Sequence, residues 1–250
     1  MTSSHLDRPR TDRAPRVVRW YLQTNRWWAR WIIRRRYRVV IHGAEHVPAS
    51  GPVILAANHV GVIDGPLLAV FSPRPAHALT KMEMFRGPLG PFLRLAGQIK
   101  LDRFRTDPQA VKTAVRALRD GLAVGIFPEG TRGTGELERF HRGAGYLALV
   151  TGAPVVPVII FGTRDPGGAS SSLPTKGATL DLVYGRAVTI DRQPWPRTQE
   201  QVAAASRVLR DRMLTELEEA QRSTGRSLPG PLPAGQHEPD PGGGITEKSA

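Results

Sequence analysis

Two polar residues, His59 and Asp64, stand close together in the stretch NHVGVID, residues 58–64. An apolar run at residues 52–57 precedes them and is typical of a buried strand, and a short apolar stretch at residues 67–71 follows. We therefore expect His59 in the loop that leaves the strand and Asp64 at the start of the next helix. In an open α/β sheet, ligands bind at the carboxyl ends of the strands.

Two interpretations of this pair are open. A carboxylate that bonds one ring nitrogen of a histidine fixes its tautomer and raises its basicity, so His59 and Asp64 could act together as a general base. Alternatively, Asp64 is a capping residue, since aspartate is favoured at helix starts, beside a loop histidine without a role. On spacing alone, the capping interpretation is the simpler one.

Further charged residues follow other predicted strands. Lys81 lies near the end of one strand, and Arg103 follows the short strand that begins near residue 97. Glu129 and Arg132 lie on a Pro- and Gly-containing turn after a buried strand at residues 122–127. An arginine can grip a phosphate through two parallel hydrogen bonds, and Glu129 could hold that arginine or bond a substrate hydroxyl. The alternative is a surface turn with a local ion pair, which contributes little to stability.

The composition excludes several kinds of chemistry. The chain has 250 residues and no cysteine, which rules out disulfides, thiolate nucleophiles and cysteine metal sites. His42 and His46 have a spacing that could suit a metal, but their Gly- and Pro-containing loop does not present them on one helical face. We therefore expect no metal ion. The formal net charge of +13 indicates a polyanionic partner, either a nucleic acid or an anionic membrane surface.

The positive charge is concentrated near the start of the chain. Residues 1–15 are polar and aperiodic and are predicted to be flexible. From Arg13 to Arg38 there are nine arginines, no acidic residue and four of the five tryptophans. A helix over residues 16–36 would place five arginines on one face and four apolar residues on the opposite face. The arginines are Arg16, Arg19, Arg26, Arg30 and Arg34, and the apolar residues are Val17, Tyr21, Trp28 and Ile32.

This pattern is typical of a helix that lies in a membrane interface. No apolar run approaches the roughly 20 residues that span a bilayer, and the arginines interrupt any signal-peptide pattern. The alternative is a helix that packs its aromatic face on its own domain and leaves its arginines in solvent. Nothing in the sequence resembles a known nucleic-acid-binding module, so we expect no nucleic-acid partner.

Four motifs in order resemble the glycerolipid acyltransferase family, of the bacterial 1-acyl-sn-glycerol-3-phosphate acyltransferase type. N-H-x-x-x-x-D matches residues 58–64, and G-x-I-x-x-x-R matches residues 97–103. F-P-E-G-T-R matches residues 127–132 without a mismatch, and V-P-V-I matches residues 156–159. Together the four motifs favour the general-base interpretation of the first one.

The resemblance implies acyl transfer from acyl-CoA or acyl-carrier protein, as co-substrate, to the free hydroxyl of a lysophospholipid. His59 would be the general base, with Asp64 orienting it. Residues of the other motifs would bind the phosphate and glycerol of the acceptor. These are Arg103, Glu129 and Arg132, with Gly130, Thr131 and Lys81 as further contributors. A thioester is already activated, so no cofactor, metal or covalent enzyme intermediate is needed.

The expected architecture is an α/β fold with a mixed, mostly parallel sheet flanked by helices and preceded by the amphipathic helix. We expect the acyltransferase domain at residues 37–221 and a disordered tail at residues 222–250. The resemblance implies a peripheral or monotopic enzyme at the cytoplasmic face of the cell membrane. The motifs are also compatible with another acceptor, such as glycerol-3-phosphate, another lysophospholipid or a lyso-aminolipid. A basic membrane-binding protein without catalytic activity is a further alternative.

Overall fold

A computed structural model describes residues 8–236 and contains a single seven-stranded sheet between two layers of helices. The strands are β1 (Arg38–His42), β2 (Val53–Ala57), β3 (Ala76–Lys81), β4 (Ile99–Leu101), β5 (Ala123–Ile126), β6 (Val155–Phe161) and β7 (Thr179–Tyr184). The helices are α1 (Trp20–Arg36), α2 (Asp64–Phe71), α3 (Gly90–Leu95), α4 (Pro108–Arg119), α5 (Gly143–Thr151) and α6 (Gln199–Thr224). Short 3₁₀ helices lie at Ala44–His46 and Met82–Phe85.

The strand order is β1-β7-β6-β2-β5-β3-β4, and every neighbouring pair is parallel except β6 and β7. The prediction of a mixed, mostly parallel sheet flanked by helices is confirmed. Strands β2 to β6 therefore all run in one direction, so their carboxyl ends lie at the same edge of the sheet. The central strands β2, β5 and β6 are buried along their whole length, as their continuous apolar sequences require.

Each face of the sheet has its own hydrophobic core. One core packs α1 and α2 against the sheet, with Leu67, Leu68 and Phe71 at its centre. The other packs α4, α5 and α6 on the opposite face, around Leu118, Leu147 and Leu209. Helix α2, which begins at Asp64, is thus held by the core along most of its length.

Helix α1 begins at Trp20 rather than at residue 16, and two of its arginines have an unexpected role. Arg30 donates from Nε to the carbonyl of Val70 (2.7 Å) and from Nη2 to that of Ser72 (3.1 Å), and Arg26 donates to Ser72 as well (3.0 Å). These carbonyls lie at the C-terminal end of α2, where helix carbonyls lack partners within the helix. The predicted arginine stripe is therefore used in part for packing inside the domain.

The sides of α1 also differ from the sequence-based assignment. Leu22 is buried, and Tyr21, Ala29 and Ile33 pack against the core, so this side of the helix faces the domain. Three tryptophans stay in solvent: Trp20, Trp27 and Trp31. No helix in the described part of the chain is long and apolar enough to cross a bilayer.

The segment after α6 packs back on the domain, which differs from the predicted disordered tail at residues 222–250. Leu232 is buried, and Arg226 bonds the carboxylate of Asp181 at 2.7 Å. At the other end of the chain, Arg116 donates to the carbonyls of Thr11 and Asp12, inside the predicted flexible start. These contacts hold both terminal segments against the domain, although their composition alone predicts disorder. Residues 1–7 and 237–250 lie outside the described residues.

Candidate active site

Four loops with candidate residues meet at one edge of the sheet because β2 to β6 are parallel. The loop after β2 carries His59, and the end of β3 carries Lys81. Arg103 follows β4, and the turn after β5 carries Glu129 and Arg132. This is the edge at which open α/β sheets bind ligands.

The first motif forms a direct contact between its histidine and its aspartate. The Nδ1 atom of His59 lies 2.8 Å from Oδ2 of Asp64. Asp64 is fully buried, whereas the His59 side chain is 20% exposed. The ring of His59 stacks on that of Phe127 with the centroids 4.2 Å apart. Because Nδ1 is engaged by the carboxylate, Nε2 is the ring nitrogen through which His59 can take a proton.

Asp64 holds the loop as well as the histidine. Its Oδ2 also accepts hydrogen bonds from the backbone amides of Val60 (2.7 Å) and Gly61 (2.8 Å). The carboxylate thus points back into the preceding loop, and Ile63 occupies the cap position of α2 without a side-chain bond. The capping interpretation of Asp64 is therefore wrong: its carboxylate is oriented by donors that precede the helix.

Asn58 fixes the point at which the loop leaves the sheet. Its side-chain amide donates to the carbonyl of Ile160 at 3.2 Å and accepts from the amide of Ile160 at 2.7 Å. The side chain thereby continues, for one more residue, the ladder between β2 and β6. Gly61 then passes so close to the Thr163 backbone that a Cβ atom there would collide with the Thr163 carbonyl.

Glu129 connects the third motif to the first. Its Oε1 accepts a hydrogen bond from the backbone amide of His59 at 2.8 Å. Burial raises the pKa of the Glu129 carboxyl to about 8, and the nearby charge of Asp64 adds to that shift. The amides of His59 and Leu137 act in the opposite direction but do not offset the burial. At neutral pH the group is therefore mainly protonated and can donate a hydrogen bond to a ligand.

The two predicted arginines are also held in place at this edge. Arg103 donates from Nη1 to the carbonyl of Gly130 at 2.7 Å, which links the loop after β4 to the turn after β5. Arg132 donates from Nη1 to the carbonyl of Ser170 at 2.8 Å. Thr131, which lies between Gly130 and Arg132 in the sequence, is buried. The structure thus joins His59, Asp64 and Glu129 directly, and Gly130 to Arg103, and it places Lys81 at the end of β3.

Arg164 lies in the same region and was missed by the sequence reasoning. It follows β6 by three residues and is only 2% exposed. Its position beyond the carboxyl end of a buried strand is the same signal that singled out Arg103 and Arg132. The glycines and serines of residues 163–177 mark this stretch as a loop, but nothing in its composition distinguishes Arg164 within it.

Within residues 8–236, no group of three or more His, Asp or Glu side chains is arranged so that it could hold a metal ion. His42 bonds Asp181 at 2.9 Å, and His46 bonds the carbonyl of Tyr184 at 2.7 Å. Both histidines thus bond residues of β7 and not residues of the His59 loop.

Comparison with known proteins shows that the four motifs lie within a known type of domain. A family model described as Acyltransferase matches residues 38–161, which contain β1 to β6 and the four motifs. The chain is 31% identical over 189 residues to the 1-acyl-sn-glycerol-3-phosphate acyltransferase of Bacillus subtilis, covering 75% of this chain and 92% of that protein.

Two further similarities extend this comparison. The human 1-acyl-sn-glycerol-3-phosphate acyltransferase alpha is 36% identical over 135 residues, covering 51% of this chain and 47% of that protein. The crystal structure of the 1-acyl-sn-glycerophosphate (LPA) acyltransferase PlsC from Thermotoga maritima aligns with a TM-score of 0.58 at 24% identity, covering 79% of each chain. This structural likeness shows that the fold is shared.

Because the pKa of Glu129 is raised from 4.5 to about 8, its protonation should make stability depend on pH. Between pH 4.5 and about 8, the folded protein keeps the proton on Glu129, whereas the unfolded chain loses it. The stabilisation from this group is therefore complete below about pH 4.5 and is lost as the pH rises to 8. Glu129→Gln cannot ionise, so the free energy of unfolding of the wild type should fall relative to this variant by a few kcal/mol, as an order of magnitude, over that range.

Denaturant unfolding of both proteins between pH 5 and 8, within that range, measures this difference. Glu136 lies between β5 and α5, as Glu129 does, but it is exposed. Glu136→Gln is therefore the control for the loss of one negative charge. A difference between wild type and Glu129→Gln that stays constant across the range would contradict the prediction.

Proposed function

The chain belongs to the acyltransferase family, and on that premise we propose that it acylates the free hydroxyl of 1-acyl-sn-glycerol-3-phosphate to give phosphatidic acid. The donor is an acyl thioester, either acyl-CoA or acyl-carrier protein. The contact between His59 and Asp64 carries this proposal, since it presents a correctly oriented base at the ligand-binding edge of the sheet. The names of the relatives support the choice of acceptor.

The reaction needs one proton acceptor at the hydroxyl of the acceptor lipid. Nε2 of His59 takes the hydroxyl proton while the oxygen attacks the thioester carbonyl carbon. Asp64 holds the other ring nitrogen and stabilises the imidazolium that forms. The tetrahedral intermediate then breaks its carbon–sulfur bond, and the leaving thiolate takes the proton back from His59. The products are the ester and the free thiol.

The remaining residues of the site suit an anionic acceptor. Arg103 and Arg132 bring positive charge from two separate loops, which favours a phosphate. Glu129, protonated at neutral pH, can donate a hydrogen bond to an oxygen of the acceptor. Lys81, Gly130 and Thr131 lie on the same loops and complete the proposed binding region.

We further propose that α1 docks on an anionic membrane at its cytoplasmic face. Trp20, Trp27 and Trp31 are 56, 70 and 56% exposed, and indole rings favour the headgroup level of a bilayer. Arg34 and Arg35 are exposed at the end of the helix, where they can reach anionic headgroups.

Helix α3 adds apolar surface beside α1. The ring of Phe92 meets that of Tyr21 edge-on with the centroids 5.9 Å apart, so the two helices are neighbours. Phe92 and Leu95 remain 41 and 38% exposed. The two helices together offer an aromatic and aliphatic surface next to positive charge, as an interfacial protein requires.

Acyl transfer should depend on His59. Purified protein is incubated with acyl-CoA or acyl-carrier protein and a panel of acceptors, and the product masses are measured. The panel contains 1-acyl-sn-glycerol-3-phosphate, glycerol-3-phosphate, other lysophospholipids and a lyso-aminolipid. We expect phosphatidic acid from the first acceptor and a fall in kcat of about 10²- to 10⁴-fold in His59→Ala, because a general base contributes about that factor.

His42→Ala is the matched control, because the ring of His42 also bonds an aspartate, Asp181, which lies on β7 and not in the loops of the site. It should keep the wild-type kcat. Turnover at the wild-type rate in a folded His59→Ala variant would contradict the mechanism. A different preferred acceptor would assign the same chemistry to that lipid, and a wild type inactive on the whole panel would favour the non-catalytic alternative.

Arg132→Ala should weaken the binding of phosphorylated acceptors. Loss of a charge-assisted hydrogen bond to phosphate removes about 1.5–3 kcal/mol, so KM for the acceptor should rise about 10- to 100-fold. Steady-state kinetics with the acceptor and the thioester varied in turn measure both constants. Equal increases in KM for the two substrates would contradict a specific phosphate contact.

Replacing the three exposed tryptophans of α1 by serine should lower partitioning onto anionic vesicles about tenfold or more, because each indole removes apolar area from water on docking. Vesicle sedimentation measures the bound fraction, and raised salt should weaken it further. Trp195→Ser is the control, since Trp195 is 41% exposed but lies outside α1. Undiminished partitioning of the triple variant would contradict docking through this helix.

A further inference from the structure

Arg164 is a buried charge whose hydrogen bonds all go to backbone carbonyls. Nε donates to Val60 at 3.0 Å, and Nη1 donates to Gly168 at 3.0 Å and to Pro231 at 3.4 Å. Nη2 donates to Gly133 at 3.0 Å and to Gly230 at 2.6 Å. A buried guanidinium is costly unless its donors are satisfied, and here each of its three nitrogens has at least one acceptor.

These carbonyls belong to four separate segments. Val60 lies in the loop between His59 and Asp64, and Gly133 follows directly after Arg132. Gly168 belongs to the loop of Arg164 itself, and Gly230 and Pro231 lie in the segment after α6. A single planar side chain therefore ties together the loops of the first and third motifs and the returning end of the chain.

Two hydrogen bonds of Arg164, together with one donated by Gly133, form a ring of contacts around His59, the proposed base. The amide of Gly133 donates to the carbonyl of His59 at 2.9 Å, and the carbonyl of Gly133 accepts from Arg164. Arg164 then bonds the carbonyl of Val60, which is covalently adjacent to His59. His59 is thus held through its own carbonyl and through that of the next residue.

The same ring bears on the orientation of Asp64. The carbonyl of His59, held by Gly133, shares its peptide plane with the amide of Val60, which donates to Oδ2 of Asp64. The carbonyl of Val60, held by Arg164, likewise shares its peptide plane with the amide of Gly61. The residue before Arg164, Thr163, lies against Gly61, whose amide is another of these donors. The loop after β6 therefore supports the loop of the first motif at two consecutive residues.

We propose that Arg164 is a positioning residue for acyl transfer, which holds the loops of His59 and Glu129 in register and couples the segment after α6 to them. This role rests on the proposed function, because it concerns the rate of that reaction. Arg164 does not touch substrate in this role and acts only through the backbone of Val60 and Gly133.

Lysine cannot replace arginine here. An ammonium group offers three donors from one atom, whereas the guanidinium reaches separate carbonyls from three nitrogens in a fixed fork. Arg164→Lys should therefore lower kcat about 10- to 100-fold, as expected when a base is displaced by about 1 Å. KM for the acceptor and for the thioester should stay within about twofold, because the substrate-binding side chains are kept.

Arg74 provides a matched control. It also donates to backbone carbonyls of three residues, Pro48, Gly51 and Gly121, which lie at the opposite edge of the sheet. Arg74→Lys should lower the melting temperature as Arg164→Lys does but should leave kcat unchanged. Kinetics below the melting temperature of both variants thus separate positioning from general stability.

A second readout does not depend on turnover. Amide hydrogen exchange at residues 59–64 and 133 should be faster in Arg164→Lys than in Arg74→Lys. In Arg164→Ala, added methylguanidinium should restore part of kcat and of the amide protection, since it can occupy the vacated site and donate to the same carbonyls.

The outcomes are distinct. An active wild type together with an unchanged kcat in folded Arg164→Lys would overturn the positioning role and leave the proposed function standing. Equal loss of kcat in the two lysine variants would also overturn it, since a general loss of stability would then explain both. A wild type that acylates no acceptor would overturn the proposed function, and the positioning role with it.

Discussion

The site depends on one buried oxygen atom, Oδ2 of Asp64, which accepts hydrogen bonds from the ring of His59 and from two backbone amides. A carboxylate removed from water needs such donors, and the amides of Val60 and Gly61 can supply them only if the loop curls around it. The shape of the loop and the orientation of the histidine therefore have the same physical cause. Because Asp64 is also the first residue of α2, the core that holds this helix holds the carboxylate as well.

The remainder of the structure keeps that loop in place from several sides. Asn58, the first residue of the loop, bonds β6. Glu129 bonds the amide of His59, and Arg164 bonds the carbonyl of Val60. All three contacts come from strands that run parallel to β2 or from the loops that follow them. A parallel sheet is thus the element that converts separate motifs along the chain into one site, because it brings the carboxyl ends of its strands to one edge.

Much of this arrangement could be predicted from local patterns. Buried apolar runs located the strands, and the polar residues that follow them placed His59, Glu129 and Arg132 at strand ends. Helical periodicity also revealed the arginine and aromatic faces of α1. It did not reveal which face packs on the domain, because the partners of Arg26 and Arg30 are carbonyls at the C-terminal end of α2, 40 or more residues away. Arg164 escaped prediction for the same reason, since all its acceptors except Gly168 lie more than 30 residues away along the chain.

The sequence by itself determined the motif residues and their order, the absence of cysteine chemistry and the concentration of positive charge near the start of the chain. Only the tertiary structure decided that Asp64 turns back toward His59 rather than capping α2, and that burial raises the pKa of Glu129. Side-chain type and spacing are local properties, which periodicity can express. Hydrogen-bond geometry and desolvation depend on which distant segments pack together, and the spacing of residues along the chain does not contain that information.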